Sequence, residues 1–422
     1  MKKIILTAFM AVAGAVALLS AEGGVEFSGN IQTLWGAGAP WTDSENSAGQ
    51  LLLGTTSVSG KLDAYYDNSS ALAEGSVNYD AITNKLNYSV DVLWIDYTEA
   101  FWGVRIGRQK TAWGKADGID ITNVICPSDM SSFAAMTGDD SKLAVDAVRL
   151  SLTGNQFTVD AYWIPFFTPA ALPLNEGNLL RKFVVPESVE VQMPGLPQPV
   201  KLPVMIGELE TPEKKIWNGE YGAKVSGYFS AFDVSLYGFY GWEDTPVFES
   251  KPTQQGIVVN GKYKHMTMLG ADAAIPIRNV VLRTEVAFFP QRYFAVEEQR
   301  DELSALAGLD WMPNGWTLTA QYFCDAVFGD LDKLEREDAY THGATLSVSK
   351  TFLNETLEAS FSGLMNFIEF DSMLNPALNY SLSDQINLES GAYIFIPGPD
   401  KDGKYGAYKA LSTIYVKAKY SF

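Results

Sequence analysis

The sequence has few of the residues on which disulfide frameworks, metal sites and nucleic-acid binding depend. It holds 2 cysteines and 2 histidines in 422 residues, too few for a disulfide framework or a four-thiolate zinc site. Basic residues are also scarce, with 31 Lys and Arg against 50 Asp and Glu. Because binding to nucleic-acid phosphate needs an excess of basic residues, the balance excludes a nucleic-acid partner.

No enzymatic constellation stands out either. His265 and Thr267 share one strand face, but the sequence offers no third partner for a hydrolytic triad. We therefore expect that the protein is not an enzyme and that it binds neither a metal ion nor a cofactor.

Charged residues are few, and long apolar runs are missing beyond the N-terminus. The charged fraction is 19%, below the roughly 25% of soluble proteins, whereas aromatic residues reach 13%. No apolar stretch long enough for a membrane helix follows residue 21. Prominent aromatic side chains in a chain of low charge indicate that part of the surface faces an apolar solvent.

The one long apolar run lies at the N-terminus. Two lysines precede apolar residues over 4–19, and Ser20 and Ala21 are small. This order predicts a secretory signal peptide over residues 1–21, cleaved after Ala21. A membrane anchor is the alternative interpretation of the same run.

Alternation with a period of two recurs along the rest of the chain. Trp316, Leu318 and Ala320, for example, alternate with Thr317 and Thr319. Such alternation in segments of about ten residues is typical of a transmembrane β-barrel, although the pattern alone also fits a soluble sandwich. Eighteen candidate strands follow from it: 25–35, 51–66, 70–81, 85–98, 100–109, 143–153, 156–164, 219–230, 232–242, 257–275, 279–289, 303–312, 315–327, 340–352, 356–370, 373–382, 385–395 and 411–422.

The lengths of the connections separate the two architectures. Each connection from an even-numbered to the next odd-numbered strand is short, as at Gly154-Asn155 and Pro313-Asn314, and nearly all the others are long. Short turns on one side and long loops on the other are typical of bacterial outer-membrane barrels. The sequence therefore predicts an all-β fold over residues 22–422. This fold is a transmembrane antiparallel β-barrel of 16–18 strands, with long extracellular loops and one or two loops folded into the lumen.

The C-terminus and the tryptophans support the same prediction. Apolar residues alternate up to Tyr420 and Phe422, which resembles the terminal strand that the barrel-assembly machinery reads in outer-membrane proteins. We predict that these two residues form the assembly signal and that the protein lies in the bacterial outer membrane. Interfacial rings are expected beside short turns, at Trp94, Trp102, Trp311 and Trp316.

Part of the chain resembles a known family. Gly107-Arg108-Gln109, Trp113-Gly114, Asp117-Gly118 and Pro127-Ser128-Asp129 look like a block found in a large, poorly characterised family of porin-like outer-membrane proteins. The resemblance implies a barrel with a role in export or uptake, and no particular substrate. A weaker likeness is to the long-chain fatty acid transporters, but those carry an N-terminal plug for which the first candidate strand leaves no room.

The polar face of each strand is expected to line the lumen with charges of both signs. The lumen-lining candidates are Asp91, Lys262, Lys264, Asp272, Arg283, Glu285, Glu389, Lys417 and Lys419. Loop 110–142 is expected to fold inward, whereas loop 165–218, with a hairpin around Pro194-Gly195, either folds inward or shields the mouth. The candidates for a pore constriction are Arg105, Lys110, Lys115, Asp117, Asp120, Asp129 and Arg149.

These features favour an outer-membrane channel that passes small solutes. A mild cation preference is expected, because the long loops are rich in acids. The expected partners are outer-membrane lipids, the barrel-assembly machinery and small solutes, and the oligomeric state stays open. One alternative is a plugged barrel with a structural or adhesive role. Another is a transporter of hydrophobic molecules, which would use apolar residues with inward parity, namely Leu93, Ile95, Phe239, Met266 and Met268.

Overall fold

A computed structural model describes residues 23–137, 141–192, 198–334, 336–399 and 403–422. The predicted signal peptide over 1–21 lies outside these residues. Eighteen strands form one sheet, and their bounds are β1 Gly23–Gly38, β2 Leu51–Tyr66, β3 Ser69–Asp80, β4 Lys85–Thr98, β5 Trp102–Gln109, β6 Val145–Thr153, β7 Phe157–Ile164, β10 Glu220–Tyr228, β11 Asp233–Trp242, β14 His265–Ile277, β15 Val280–Tyr293, β16 Gln299–Trp311, β17 Trp316–Phe328, β18 Tyr340–Phe352, β19 Leu357–Asn366, β20 Ser372–Ser381, β21 Ile386–Ile396 and β22 Thr413–Ser421.

The large sheet closes on itself. Each strand pairs in antiparallel fashion with its neighbours, and β22 pairs with β1 from Asn30↔Ser421 to Gly38↔Thr413. A closed sheet leaves no backbone group unpaired at an edge, which is what the interior of a bilayer requires of a β structure. The predicted all-β barrel is confirmed, with eighteen strands.

The outer face of the barrel is apolar. Outward side chains such as Phe27, Leu236 and Val416 are more than half exposed. A continuous exposed apolar band is stable only against lipid. The protein is therefore a β-barrel of the bacterial outer membrane, with its long loops on the extracellular side.

A second sheet and a few short helical segments are not part of the barrel wall. The sheet has the order β12-β13-β9-β8, and its strands are β8 Ser188–Val191, β9 Val200–Glu210, β12 Val247–Thr253 and β13 Gly256–Lys262. The helices are α1 Phe133–Met136 and α2 Arg181–Val184, with 3-10 turns at Pro40–Glu45, Ile216–Asn218 and Gly406–Leu411. In the part of the chain that the structure describes, no helix has the length and apolarity to cross a membrane.

The prediction of one strand over 257–275 is wrong. Residues 256–262 form β13, which pairs with β12 and runs parallel to β9, and the barrel strand β14 starts only at His265. Period-two alternation continues across both strands, so the pattern does not reveal the break. As a consequence Lys262 lies in the extracellular sheet and Lys264 in the connection to β14, and neither is on the barrel wall.

A β-bulge reverses the predicted parity in β4. Val90 pairs with Gly75 and Val92 with Glu74, so Asp91 is an extra residue without a partner. Beyond a bulge each side chain points to the face opposite to that predicted. Leu93 and Ile95 are therefore exposed on the lipid side, against the prediction for both, and Trp94 lies in the lumen instead of at the membrane interface.

Candidate functional site

The connection between β5 and β6 folds into the barrel. We call residues 110–137 the inward loop. Its backbone is fixed by Glu285, an inward residue of β15 that is 1% exposed. One carboxylate oxygen accepts the N–H groups of Lys115 and Ala116 at 2.8 and 3.0 Å. The other accepts the N–H and hydroxyl of Thr122 at 2.7 and 2.6 Å.

Further polar contacts carry the inward loop across the lumen. The N–H of Asp117 donates to Gln321 of β17 at 3.0 Å, and Gln321 donates back to the Asp117 carbonyl at 2.7 Å. Arg283 of β15 donates to the Asp117 carboxylate and to the Lys115 carbonyl, both at 2.8 Å. Because β17 lies eight places from β5 in the 18-strand ring, the loop reaches nearly the opposite wall.

Apolar packing holds the first half of the inward loop against the wall. The Trp113 ring lies 5.0 Å from Tyr237 and 5.8 Å from Tyr162, and Ile121 and Ile125 belong to the same buried cluster. The wall contributes Phe239, Met266 and Met268, which face inward as predicted. The close approach depends on glycine, because a Cβ at Gly222 would lie 3.1 Å from the Trp113 ring.

The second half of the inward loop packs on the other side of the lumen. Ser132 caps α1 by accepting the N–H of Ala135 at 3.0 Å. Phe133 then places its ring 5.7 Å from Tyr393 and 6.1 Å from Phe395, both on β21. Leu180, just before α2, joins this cluster. Loop 165–218 is therefore divided: the region around α2 packs inward, and the two predicted hairpin strands pair as β8–β9 in the extracellular sheet. The predicted turn at Pro194-Gly195 lies outside the described residues.

A cavity lies between the inward loop and the wall formed by β17–β20. Its volume is about 720 Å³. The hydroxyl and amide side chains that the wall contributes are Thr319, Gln321, Thr345, Ser347, Ser362 and Asn375, and its apolar side chains there are Phe323, Leu346, Leu364 and Met373. The charged residues on its lining are Asp117, Asp120, Asp325 and Lys404.

One tyrosine of the cavity lining has a raised pKa. Tyr405 also borders the cavity, and burial together with the nearby Asp371 raises the pKa of Tyr405 to about 12. This phenol stays neutral under physiological conditions and adds no charge to the cavity. Cys126, in the inward loop, is buried. Burial raises the pKa of the Cys126 thiol.

The structure brings only some of the predicted constriction residues to this passage. Asp117 and Asp120 border it, and Lys115 contributes its backbone to the Glu285 contacts. Asp120 forms an ion pair with Lys142, with 2.5 Å between the ammonium nitrogen and a carboxylate oxygen. Asp129 accepts the N–H of Ser131 within a turn at 2.9 Å, and Lys110 begins the loop directly after β5.

Arg105 and Arg149 form a separate cluster on the β4–β6 wall. Both face Asp96, at 2.9 and 3.8 Å, and the Arg105 guanidinium lies 3.9 Å from the centre of the Trp94 ring. The sequence did not identify Asp96 as a lumen residue, because the bulge at Asp91 turns its side chain to the face opposite to the one that simple alternation predicts. It also missed Gln321 and Tyr237 as loop contacts, although their inward parity was visible in the alternation.

The remaining lumen candidates lie on the wall. Asp272 accepts a hydrogen bond from the Tyr237 hydroxyl, and Glu389 pairs with Lys417 at 3.3 Å. Lys419 has the inward parity of β22.

The predicted assembly signal lies beside the seam between β22 and β1. The Phe422 ring is 5.9 Å from the outward ring of Phe27 and 6.1 Å from that of Tyr420. The N–H of Phe422 donates to the Gly29 carbonyl at 3.0 Å. Recognition by the assembly machinery stays a prediction.

Comparisons with known proteins agree with this fold. A family model described as "Protein of unknown function (DUF1302)" matches residues 90–386, more than two thirds of the chain. No curated protein matches the sequence. The structure is similar to Pseudomonas aeruginosa OccK5 (OpdH), with 7% identity, a TM-score of 0.53 and coverage of 95% of this chain and 97% of that one.

Two further crystal structures show similar agreement. Acinetobacter baumannii OccAB2 has 8% identity, a TM-score of 0.53 and coverage of 94% of this chain and 98% of that one. Pseudomonas aeruginosa OccK2 (OpdF), solved in complex with glucuronate, has 10% identity, a TM-score of 0.50 and coverage of 95% and 97%. At these identities the likeness concerns the fold alone.

Proposed function

The chain belongs to the family described as protein of unknown function (DUF1302), and we propose that it is an outer-membrane channel for small hydrophilic solutes. The observation that carries this proposal is the cavity of about 720 Å³ between the inward loop and strands β17–β20. The inward loop is held against the wall beside this cavity by its contacts with Glu285 and Gln321. On this proposal solutes pass between the loop and a wall that carries hydroxyl and amide groups.

A role in transporting hydrophobic molecules is less well supported. The apolar inward residues Phe239, Met266 and Met268 are buried beneath the inward loop, so no cargo reaches them while the loop is in place. Leu93 and Ile95 face lipid. The cavity beside the loop also has apolar side chains, such as Phe323 and Met373, but six hydroxyl and amide side chains and four charged ones offer contacts to a polar solute.

We further propose a mild cation preference, which the charges along the cavity support. Three carboxylates and one lysine line it. Asp117 is paired with Arg283 and Asp120 with Lys142, whereas Asp325 forms no ion pair within the described residues. Asp325 is thus the least compensated carboxylate of the cavity. At 4 Å a unit charge attracts a cation by about 1 kcal/mol in water, which corresponds to about a fivefold local enrichment.

Planar-bilayer recordings of the purified protein test both parts of the proposal. We expect stable current steps and a reversal potential that shows cation preference in a salt gradient. Asp325→Asn should reduce that preference, and Glu358→Gln, on β19 outside the cavity lining, should leave it unchanged. A protein that folds, as judged by heat-modifiable mobility, but never conducts would instead support the plugged barrel.

A further inference from the structure

A short turn at the extracellular rim presents apolar and cationic side chains together. In the 3-10 turn Ile216–Asn218, Trp217 is 71% exposed and Ile216 is 55% exposed. Trp217 is the most exposed tryptophan among the residues that the structure describes. Lys214 and Lys215 come directly before it, and the Lys215 ammonium lies 5.7 Å from the centre of the Trp217 ring.

The turn is rigidly built and attached to the barrel. The N–H groups of Lys215 and Asn218 donate to the carbonyls of Glu213 and Lys215 at 2.7 and 2.9 Å. The Asn218 side chain donates to the Glu213 carbonyl at 2.9 Å. The Trp242 indole of β11 donates to the Asn218 carbonyl at 2.9 Å. These contacts fix the turn, so the exposure of Ile216 and Trp217 is not the result of a loose segment.

The turn continues the lipid-facing surface of the barrel. Gly219 follows it, and a Cβ there would lie 3.1 Å from the Nε1 atom of Trp163, an outward residue of β7. Trp163 pairs with Tyr221, and Tyr221 with Tyr240, so outward aromatic rings form a row just below the turn. His265 stacks on Trp242 with 3.6 Å between ring centres.

We propose that this rim patch, formed by Lys214, Lys215, Ile216, Trp217, Trp242 and His265, binds the phosphorylated headgroup of an outer-leaflet lipid. Indole rings prefer the headgroup level of a bilayer, and lysines near a membrane surface attract anionic lipids. Among the described residues the one ion pair of the patch is between Lys215 and Glu213, and the buried Glu220 carboxylate accepts the Trp242 N–H at 3.0 Å. The two adjacent lysines contrast with a chain of net charge −19, which favours an anionic occupant.

Lipid binding to the full-length folded barrel in non-ionic detergent tests this site. The probe is diphosphorylated lipid A, compared with dephosphorylated lipid A of the same acyl composition, and bound lipid is counted by native mass spectrometry. One lysine at a membrane surface contributes about 1 kcal/mol, so Lys214→Gln should weaken binding of the phosphorylated lipid about fivefold. Glu213→Gln should strengthen it, because Lys215 then has no competing carboxylate. Lys251→Gln, at an exposed ion pair of the extracellular sheet, should have no effect.

Three results would overturn the proposal. Equal affinity of the Lys214→Gln variant and the unmodified protein for the phosphorylated lipid would show that the lysine does not take part in binding. Equal affinity for the phosphorylated and the dephosphorylated lipid would show that the patch contacts only the acyl chains and does not recognise the phosphate groups. Displacement of the lipid by inorganic phosphate at a similar concentration would indicate a site for free anions, not for a lipid headgroup. Trp217→Ala should weaken both lipids, and heat-modifiable mobility shows that each variant is folded.

Discussion

Glu285 receives four hydrogen bonds from one segment of the inward loop. Its side chain is buried, and a buried donor that loses its partner costs about 1–3 kcal/mol. The carboxylate is therefore the main polar attachment of the loop to the wall. Gln321 and Tyr237 add contacts at Asp117 and Gly114, but each supplies fewer bonds.

We predict that Glu285→Ala releases the inward loop, and that Cys126 reports the release. In the unmodified protein the Cys126 thiol is 1% exposed, and burial raises its pKa, so a water-soluble maleimide should label it slowly. In the Glu285→Ala variant labelling should become at least about tenfold faster. Both proteins carry Cys324→Ala, which leaves one thiol. Equal labelling rates with and without Glu285 would show that other contacts hold the loop.

Gly114→Ala should weaken the same attachment from the side of the loop. Gly114 has φ +89°, and a Cβ there would collide with the Glu285 carboxylate. The left-handed backbone adds strain for any residue with a side chain. We expect faster Cys126 labelling than in the unmodified protein and noisier single-channel current. Gly118→Ala is the matched control, because it has φ +72° but no neighbour within 4 Å, and it should leave labelling unchanged.

At the scale of elements, the strands could be predicted, whereas the paths of the long loops inside the barrel could not. Eighteen strands and the side of each long loop followed from alternation and from turn residues, because one face of every strand meets lipid. The bounds of β2, β4 and β18 agree with the prediction to the residue. The β8–β9 hairpin was visible for the same reason, since Val189 and Val191 alternate with polar residues.

The failures of prediction at this scale have specific physical causes. A single extra residue, Asp91, reverses every later side chain of β4, and nothing in the local composition signals it. Lys262 was misplaced because alternation does not reveal which sheet a strand joins. The path of the inward loop depends on partners far away in sequence, such as Glu285 and Gln321, so the sequence indicated that it folds inward but not where it lies.

Replacing residues 112–124 by a short Gly-Ser linker tests the inward loop as an element. The replacement removes Trp113, Ile121 and the Glu285 contacts, and the mid-lumen should then open. We expect a several-fold rise in single-channel conductance and a weaker dependence on solute size in liposome-swelling assays. Changing the exposed turn 253–256 of the extracellular sheet is the control and should alter neither. An unchanged conductance in the linker variant would place the narrowest point elsewhere in the barrel.

At the scale of the whole molecule, an ion that enters the proposed channel would meet two sources of negative charge. One is the acidic extracellular surface, which includes Glu297, Asp330, Asp332 and Glu337 in the long connections. The other is the local group of carboxylates at the cavity, with Asp325 the least compensated. The two differ in range: the first acts through water over distances comparable to the Debye length, and the second acts at contact.

Salt concentration separates these two sources. The Debye length is about 10 Å at 0.1 M salt and about 3 Å at 1 M, so high salt should screen the field of the extracellular surface and leave contact with Asp325 largely intact. We predict that the cation preference measured by reversal potential falls between 0.1 and 1 M but does not vanish. Asp325→Asn should remove most of the preference that remains at 1 M, whereas neutralising Asp330 and Asp332 should act mainly at 0.1 M. Anion selectivity of the unmodified protein at both concentrations would mean that basic groups such as Lys404 and Arg283 control the passage.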